Sequence, residues 1–272
     1  LFRSPQAAAS NINQLLMGRA AGLQAIVNST QPDGKVNISI RGGENPIYVV
    51  DGIVMPSEAI STNGGETGLP SNVNRGGLAG LNPSDIESVE ILKDASAAIY
   101  GIGAANGVIL ITTKKGKEGA PSISYEGSYS FVRNYPYLDA LTSQEYMELA
   151  NVFNKENYLY NKKQYPYGPD EYDGKWSPLF SETDRLNPRN TNWKDYVLKS
   201  GYITKHNLTI SGGTSKVRYY LGGSYLDQEG TVLNSGMTKY TFRGNIGVEL
   251  FPFLNLTSAF NANQNIYSNC MV

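Results

Sequence analysis

Tyr240 to Leu250 read Tyr-Thr-Phe-Arg-Gly-Asn-Ile-Gly-Val-Glu-Leu, so aromatic or aliphatic residues and one glycine occupy every second position, with polar residues and a second glycine between them. Ser122 to Phe131 alternate in the same way, with Ile, Tyr, Gly, Tyr and Phe interleaved with serines and one Glu. Because the side chains of a strand point alternately to its two faces, this period predicts strands with one apolar, aromatic face and one polar face. Residues 202–211, 217–225 and 254–263 repeat the pattern, less cleanly in the first of them.

The connections between these strands alternate in length. The first, from Asn134 to Lys199, is long and contains a predicted helix whose Thr142 and Glu145 form a capping box. The next connections are tight at 212–215, of medium length at 227–235 and tight at 251–253. Long loops on one side and short turns on the other are typical of an outer-membrane barrel, although the strands of a water-soluble sandwich also alternate.

The chain before Lys114-Lys-Gly-Lys117 is built differently, from short helices and short strands. Periodicity, caps and turn residues predict these elements there: a helix through Ile12, Leu15, Leu16 and Arg19, capped by Ser10 or Asn11 and ended by Gly22; a strand at Val36–Arg41; a strand at Ile47–Val50 closed by an Asp51-Gly52 turn; a Gly-, Asn- and Ser-rich loop at 57–80; a helical turn at 82–85; a strand at Ser88–Leu92; a helix at Ala95–Tyr100 capped by Asp94 and ended by Gly101; and a strand at Val108–Thr113.

Composition excludes several classes of protein. The 23 basic and 24 acidic residues give a net charge of −1, whereas a nucleic-acid-binding protein needs a basic excess. The longest apolar runs, such as Gly107 to Ile111, are about five residues, against roughly 20 for a membrane-spanning helix. Cys270 is the only cysteine, which excludes a disulfide framework and a cysteine-based zinc site. Leu1 to Ser10 lack a basic start and an apolar stretch, so we expect no signal peptide there.

The sequence shows no constellation of catalytic or metal-binding residues. His206 is the only histidine, and Asp85, Glu87 and Glu90 have no adjacent nucleophile or metal ligand, so we expect solvated charges there. The glycine-rich segment 101–107 follows a predicted helix and opens a strand, the reverse of a dinucleotide-binding loop. We therefore predict neither an enzyme nor a cofactor or metal site.

Four stretches before Lys117 are distinctive: Asn11-Ile-Asn-Gln-Leu-Leu-Met-Gly-Arg-Ala-Ala-Gly22 with Ile38-Ser-Ile-Arg-Gly42; Pro46-Ile-Tyr-Val-Val-Asp-Gly52; Asn82-Pro-Ser-Asp-Ile-Glu-Ser-Val-Glu-Ile-Leu-Lys-Asp-Ala-Ser-Ala-Ala-Ile-Tyr-Gly101; and Ala104-Ala-Asn-Gly-Val-Ile-Leu-Ile-Thr-Thr-Lys-Lys-Gly116. They resemble the plug domain of the SusC/RagA-type TonB-dependent outer-membrane transporters of Bacteroidota. Asn207 to Thr214 and Tyr219 to Gly230 resemble the barrel of the same family, so the resemblance covers essentially the whole chain.

This resemblance implies a mainly β fold with a small α+β part. Residues 1–117 are expected to form the plug domain, with an incomplete N-terminus. Residues 118–272 are expected to form the first five or so strands of an incomplete antiparallel outer-membrane-type β-barrel, with a long loop at 134–199. Barrels of the family have about 22 strands. The chain also departs from the family in lacking a TonB-box-like segment, and Gly101-Ile-Gly-Ala104 lacks an Arg that the family often carries nearby.

The implied function is the import of a nutrient, such as a glycan or a peptide, across the outer membrane. The implied partners are the TonB energy-transducing complex, acting through a segment outside this chain, a SusD-like surface lipoprotein, the nutrient and the outer membrane. We expect the 272 residues alone to be unable to transport, since an open sheet edge in lipid leaves costly unpaired backbone groups. The open edges are instead expected to pair with the remainder of a barrel or with a second copy.

An alternative interpretation is a soluble, β-rich, non-catalytic binding or adhesion module. The apolar strand face distinguishes the two, because it should face lipid in a barrel and a packed second sheet in a sandwich. The side chains that decide this are Tyr125, Tyr129, Phe131, Tyr240 and Phe242.

Candidate site residues fall into two groups. The plug signature positions are expected to be structural, with glycines at turns or close approaches. Arg41, Lys93, Asp51 and Asp94 are candidates for ion pairs that hold the plug to itself or to the barrel wall; the alternative is that they are solvated charges and caps. Tyr172 and Trp176, in an aromatic loop at 158–193, are candidates for contact with substrate or with the lipoprotein; the alternative is that these rings pack the loop against itself. The signature positions are Arg41, Gly42, Tyr48, Asp51, Gly52, Lys93, Asp94, Tyr100, Gly101, Asn106 and Gly107.

Overall fold

A computed structural model describes residues 2–3, 12–18, 20–27, 32–34, 36–55, 77–93, 95–134 and 140–268. The chain divides into two compact units, the first comprising residues 1–133 and 199–272 and the second comprising residues 134–198. In the described part of the chain, no helix combines the length and the apolar character needed to cross a bilayer.

The described residues are mostly in strands. The strands, in chain order, are β1 (Phe2–Arg3), β2 (Leu23–Val27), β3 (Val36–Ile40), β4 (Gly43–Glu44), β5 (Ile47–Val50), β6 (Ile53–Met55), β7 (Ile86–Leu92), β8 (Val108–Thr113), β9 (Gly119–Val132), β10 (Gly201–Gly213), β11 (Val217–Glu229), β12 (Gly236–Phe251) and β13 (Leu254–Ser268). The α-helices are α1 (Ile12–Leu16), α2 (Ser143–Lys162), α3 (Glu182–Leu186) and α4 (Trp193–Val197), and 3-10 helices span Gly77–Gly80, Pro83–Asp85, Ala95–Tyr100 and Ile102–Asn106.

The part of the chain up to Thr113, which we call the plug, contains two small sheets. One has the order β1-β7-β8-β5-β6, with β5 and β8 parallel and the other pairs antiparallel. The other has the antiparallel order β2-β3-β4. Strand β3 buries Val36, Ile38 and Ile40 on one face, as its alternation predicts. These side chains join α1 and the central strands in one hydrophobic core.

The Asp51-Gly52 turn is confirmed as the link between β5 and β6. Its two residues have φ of 49° and 90°, and Val50 pairs with Ile53 across it. A two-residue hairpin loop with positive φ at both positions matches the twist of its strands, which is why Asp-Gly is favoured there. The turn holds the Asp51 side chain at the end of the plug sheet, beside β8.

Strands β9 to β13 form an antiparallel sheet in simple sequential order, which we call the wall. Each strand pairs with the next along the chain, and all five extend the strands that alternation predicts. Among the described residues, β9 and β13 are each paired on one side only, so the sheet is open.

The two faces of the wall have inverted polarity. Polar side chains of its inner face are buried under the plug, whereas the apolar and aromatic side chains of its outer face are exposed. In β12, Arg243 is 5% exposed and its neighbour Phe242 is 49% exposed. The buried polar set is Lys205, Asn207, Lys239, Thr241, Arg243 and Asn245, and the exposed set includes Tyr125, Tyr129, Phe131, Tyr240 and Phe242.

Some predicted elements differ in the structure or lie outside its described residues. The predicted helix at residues 95–100 is present as a 3-10 helix, a type that is common in short segments. Helix α1 ends at Leu16. The Gly-rich loop at 57–80 is described only from Gly77, where a 3-10 helix begins. Residues Ser10, Asn11, Arg19, Asp94 and Cys270 lie outside the described residues.

The second unit, taken by itself, is organised around α2. The predicted capping box is confirmed: the Glu145 backbone N–H donates to Thr142 Oγ1 at 3.3 Å, and the Thr142 N–H donates to Glu145 Oε2 at 2.8 Å. The Asn151 side chain then bonds both the backbone N–H and the carbonyl of Phe180, each at 2.9 Å. These bonds tie the chain after α2 back along the helix.

Candidate functional site: the plug and its contacts with the wall

A plug carboxylate and a wall cation form an ion pair at the end of β8. Asp51 Oδ1 accepts from the backbone N–H of Thr113 at 3.0 Å, and its Oδ2 accepts from Arg243 Nη2 at 2.7 Å and from the Thr113 hydroxyl. Arg243 Nη2 also donates to Thr113 Oγ1. The Arg243 and Asp51 side chains are only 6% and 17% exposed, so this pair is shielded from solvent. A buried charge-assisted bond of this kind positions both partners closely.

A second carboxylate, Asp85, contacts the wall at β11. Its Oδ1 accepts from the Tyr220 hydroxyl at 2.8 Å. A Cβ at Gly222 would lie 3.0 Å from the same oxygen, so the absence of a side chain there allows the close approach. Burial, the largest influence, raises the pKa of Asp85 above its ordinary value, while the Tyr220 hydroxyl and the Arg243 charge act in the opposite direction. The expectation of a solvated charge is therefore wrong for Asp85, which is 5% exposed.

The turn that carries Asp85 is positioned by asparagine side chains. Asn82 Oδ1 accepts from the Ser84 backbone N–H at 3.1 Å and caps the 3-10 helix Pro83–Asp85. Asn82 Nδ2 donates to Asn207 Oδ1 of β10 at 2.8 Å, and Asn207 Nδ2 donates to Ser84 Oγ at 3.1 Å. The side-chain amides of Asn82 in the plug and Asn207 in the wall are thus hydrogen-bonded to each other.

Two contacts reach β13. The Tyr267 hydroxyl donates to Asp33 Oδ2 at 3.1 Å, and Asn261 Nδ2 donates to the Gly80 carbonyl at 3.3 Å. Together with the contacts at β10, β11 and β12, they show that the plug is held by polar bonds to four successive wall strands.

The buried charges of this interface are sorted by sign. The plug contributes the carboxylates Asp33, Asp51 and Asp85, and the wall contributes the cations Lys205, Lys239 and Arg243. Of these cations, Arg243 is ion-paired at short range with Asp51. These opposite charges attract the plug to the polar part of the inner face of the wall.

The structure places the plug signature positions mostly at turns and in the plug core. Gly42, Gly52, Gly101 and Gly107 all have positive φ, as expected for turn glycines. Gly107 is also tightly packed, because a Cβ there would lie 2.8 Å from Ile40 Cδ1.

The remaining signature positions have different roles. Tyr48 is buried, its hydroxyl donates to Asn13 Oδ1 at 3.2 Å, and burial raises its pKa. Tyr100 packs against a second small core around Val49 and Val108. Lys93 donates to the Ala21 carbonyl.

Three signature positions lie at the surface or outside the described residues. Arg41 is exposed with a φ of 51°, and Asn106 is exposed beside Gly43. Asp94 lies outside the described residues. Asp51 pairs with Arg243 of the wall.

The candidate rings of the aromatic loop lie against α2 within the second unit. Lys155 Nζ lies 5.6 Å from the ring centroids of both Tyr172 and Trp176. Trp176 Nε1 donates to Asn154 Oδ1 at 2.8 Å, and the Tyr158 hydroxyl donates to the Asp173 carboxylate. The Lys155 ammonium therefore lies close to both candidate rings. Tyr172 is 43% exposed.

Sequence reasoning missed the wall partners of the plug, Lys205, Asn207, Tyr220, Lys239 and Arg243. The sequence does contain a signal for these residues, because the alternation places the Lys, Asn and Arg residues on the polar face of the strands. Which of these side chains meets the plug depends on the register of the wall strands, and alternation alone does not determine it.

No group of three or more metal-ligating side chains occurs within the described ranges. Glu87 and Glu90 lie at the surface, where Glu87 pairs with Lys117 at 3.0 Å. His206 lies on β10, with Nδ1 2.6 Å from the Tyr125 hydroxyl.

Comparison with known proteins identifies the family. Residues 4–108 match the TonB-dependent Receptor Plug Domain family. The chain is 33% identical over 271 residues to the TonB-dependent receptor SusC of Bacteroides thetaiotaomicron, a match that covers 96% of this chain and 24% of SusC. It is 31% identical over 262 residues to a TonB-dependent receptor of Formosa agariphila, covering 93% of this chain and 21% of that protein.

A solved structure shows the same arrangement. The RagAB peptide transporter superposes with a TM-score of 0.68 at 25% identity, over 96% of this chain and 30% of the matched chain. The chain thus spans about a quarter of the length of the curated relatives it matches. A plug that bonds to a sheet with a polar inner and an apolar outer face, together with these matches, places the chain among the SusC/RagA-type TonB-dependent receptors.

Proposed function

We propose that this chain serves the TonB-dependent import of a nutrient, such as a glycan or a peptide, across an outer membrane. In this proposal residues 1–117 are the plug, residues 118–272 contribute barrel strands, and residues 134–199 form a long loop on the outer side. The relatives are named as receptors or as a peptide transporter, which supports a transport role over an enzymatic one.

The observation that carries the proposal is the inverted polarity of the wall. In a water-soluble protein this arrangement would be unfavourable on both faces. One face would expose tyrosine and phenylalanine to water, and the other would bury Lys, Asn and Arg. In a barrel, the outer face meets lipid and the inner face meets a hydrated plug. The exposure of Tyr125, Tyr129, Phe131, Tyr240 and Phe242 supports this environment over a second packed sheet.

The dimensions of the outer face support a membrane location. Aromatic rings cluster near the ends of β10 to β12 that join the longer connections, where Tyr225 lies 5.2 Å from Tyr240 between ring centroids. A second cluster lies at the tight turn, where Phe251 stacks on Phe253 at 5.4 Å. Tyr240 and Phe251 are 11 residues apart, or about 29 Å along the membrane normal for a strand tilted by about 40°. This is close to the apolar height of an outer-membrane barrel, about 25 Å.

The proposed partners follow from family membership. The TonB complex would supply energy through a segment outside residues 1–272. A SusD-like surface lipoprotein would cover the outer side, where we place the 134–199 loop with Tyr172 and Trp176. The solvent-exposed part of Tyr172 is available for such a contact, whereas Lys155 already occupies the space between the two rings.

A reversible lock between plug and wall tests the proposal. In the complete receptor with Cys270 changed to Ser, the pair Gly80→Cys and Asn263→Cys joins the plug to β13, because a Cβ at Gly80 would lie 2.9 Å from Asn263 Cγ and so within disulfide reach of Asn263 Cβ. We expect oxidation of this pair to abolish uptake of labelled oligosaccharides or oligopeptides by cells, and reduction to restore it. Gel mobility under non-reducing conditions verifies that the disulfide has formed.

The matched control joins two strands of the wall and leaves the plug free. Glu249 and Asn255 are direct cross-strand partners of β12 and β13, and both are exposed. The pair Glu249→Cys and Asn255→Cys should form a disulfide without reducing uptake. Full uptake by the oxidised plug–wall pair would contradict the proposal.

We also propose that residues 1–272 alone do not transport. Five wall strands leave two unpaired edges in the described part of the chain, and unpaired backbone groups in lipid cost several kcal/mol each. Planar-bilayer recordings on the isolated chain should show no specific conductance. Stable channels with selectivity for a nutrient would contradict this expectation.

A further inference from the structure

A small polar cavity lies between the wall and the Asn82–Asp85 turn of the plug. Its volume is about 10 Å³, close to the room that one water-sized species needs. The lining side chains that determine its chemistry are Asn82, Lys205, Asn207, Ser224, Leu226 and Lys239. Plug and wall both contribute to it, so whatever it holds bridges the two.

Two buried ammonium groups meet at this cavity. Lys205 pairs with Leu226 across β10 and β11, and Leu226 pairs with Lys239 across β11 and β12, so all three share the inner face of the wall. The two lysines are two strand spacings apart, about 10 Å between their Cα atoms, which their long side chains can bridge towards each other. Lys205 is 8% and Lys239 is 3% exposed.

The Lys239 ammonium has unused donors. Its Nζ is fully buried and has no hydrogen-bond partner among the side chains and backbone that the structure describes. An ammonium has three N–H donors and no acceptor, and a buried charge without bonds is costly. The charged groups that act on it are the Asp33 carboxylate and the Lys205 ammonium.

The acceptors around the cavity each accept at least one hydrogen bond from another group. Asn82 Oδ1 accepts from the Ser84 N–H, and Asn207 Oδ1 accepts from Asn82 Nδ2. The nearby carboxylates Asp33 and Asp85 accept from tyrosine hydroxyls, and neither is among the described residues that line the cavity. The described lining carries two ammonium groups and no carboxylate, since Asp33, Asp85 and Glu126, which act on the two lysines, lie outside it. This excess of positive charge at the cavity favours an anion over a neutral water.

We propose that this cavity binds a small monovalent anion, chloride, between Lys205 and Lys239 of the wall and the Asn82 turn of the plug. The anion accepts hydrogen bonds from the two ammonium groups and offsets their mutual repulsion. Chloride is smaller than sulfate and phosphate, so it suits the small cavity better than they do. A ligand that binds only the seated plug stabilises that state by mass action, so chloride acts as a clamp on the plug whichever nutrient is carried.

Crystals of the complete receptor grown with bromide in place of chloride give a direct test. We expect an anomalous peak between Lys205 Nζ and Lys239 Nζ in the wild type and none in Lys239→Met, which keeps the length of the side chain but removes the charge. A site filled by water only, with no anomalous peak in the wild type, overturns the proposal. This result does not depend on whether the variant folds.

A measurement in solution tests whether chloride stabilises the seated plug. Raising chloride at constant ionic strength, with gluconate as the replaced anion, should slow hydrogen exchange at Ile86–Leu92 in a saturable way, by about tenfold when chloride exceeds its dissociation constant tenfold. Lys239→Met should lose this dependence, whereas Lys216→Met, at an exposed turn, should retain it. If hydrogen exchange in the wild type does not depend on chloride, the proposal that chloride clamps the plug is wrong. The transport proposal is tested separately, by the uptake experiment.

Discussion

At the residue scale, Asp51 has two functions that reinforce each other. Its positive φ completes the hairpin turn between β5 and β6, and its carboxylate bonds both Thr113 of the plug and Arg243 of the wall. The turn therefore fixes the direction of the carboxylate before the wall contact forms. Such preorganisation reduces the entropy lost in making the ion pair.

We predict that Arg243→Met destabilises the seated plug by about 3 kcal/mol, because it leaves the shielded Asp51 carboxylate without its cation. Lys117→Met should cost less than about 1 kcal/mol, since its pair with Glu87 is exposed to solvent. Hydrogen exchange of the β8 amides measures both. Equal effects of the two substitutions would show that the Asp51–Arg243 pair is no stronger than a surface pair.

Asp85 gives a prediction for pH. Burial raises its pKa in the folded state above the unfolded value of about 3.9. Between the two values the folded state binds more protons, so stability decreases as pH rises through that window and the loss is complete above the folded pKa. We expect Asp85→Asn to remove this decrease, because an amide stays neutral while its oxygen still accepts from Tyr220.

Urea unfolding of the receptor at a series of pH values above 4 measures the Asp85 effect, with Glu87→Gln as the control at an exposed carboxylate. The slope should change in Asp85→Asn only. An unchanged slope in that variant would mean that Asp85 keeps an ordinary pKa in the folded protein.

At the element scale, α2 is stabilised mainly by its own terminus and by local bonds. Of its side chains only Leu159 is buried, so little tertiary packing supports this 20-residue helix. The capping box then contributes a large share of what holds its first turn, because it satisfies backbone donors that no helical carbonyl can reach.

We expect Thr142→Ala to destabilise α2 by about 1 kcal/mol through the loss of this cap. Faster hydrogen exchange of the amides from Ser143 to Tyr146 would report the effect. Thr183→Ala, at an exposed position in α3, is the matched control and should leave these amides unchanged. Identical exchange in the Thr142 variant and the wild type would show that the first turn does not depend on its cap.

At the scale of the whole molecule, the two faces of the wall differ in polarity. Its outer face presents aromatic and aliphatic side chains, and its inner face presents the polar groups that bond the plug. The barrel that we propose would place lipid on the outside and the hydrated plug on the inside.

Two lysine substitutions, one near the middle of the proposed membrane-spanning part and one at its end, test whether lipid covers the outer face. Ile246→Lys, near the middle of the outer face, should destabilise the barrel by about 2–4 kcal/mol in lipid, whereas Phe253→Lys, at the tight turn, should cost about 0–1 kcal/mol. Folding of the complete receptor into vesicles at varied urea concentrations measures both. A cost of Ile246→Lys no larger than that of Phe253→Lys would contradict a lipid-facing outer face.

Local patterns in the sequence were sufficient to predict the strands and several turns. Alternation from Tyr240 to Leu250 and from Ser122 to Phe131 predicts β12 and β9, because the alternation of side chains is a property of the extended backbone itself. The Asp51-Gly52 turn and the Thr142 cap are equally local. Resemblance supplied the plug assignment, which the family comparison supports at residues 4–108.

The contacts between plug and wall depend on the tertiary structure alone. Asp51 and Arg243 are 192 residues apart in the chain, and Asp85 and Tyr220 are 135 apart, so no spacing pattern relates them. Their meeting depends on the register of four wall strands and on which face of the wall turns towards the plug. Polar alternation indicates that two faces exist, but the plug selects which one is buried, because only the polar face can satisfy its carboxylates.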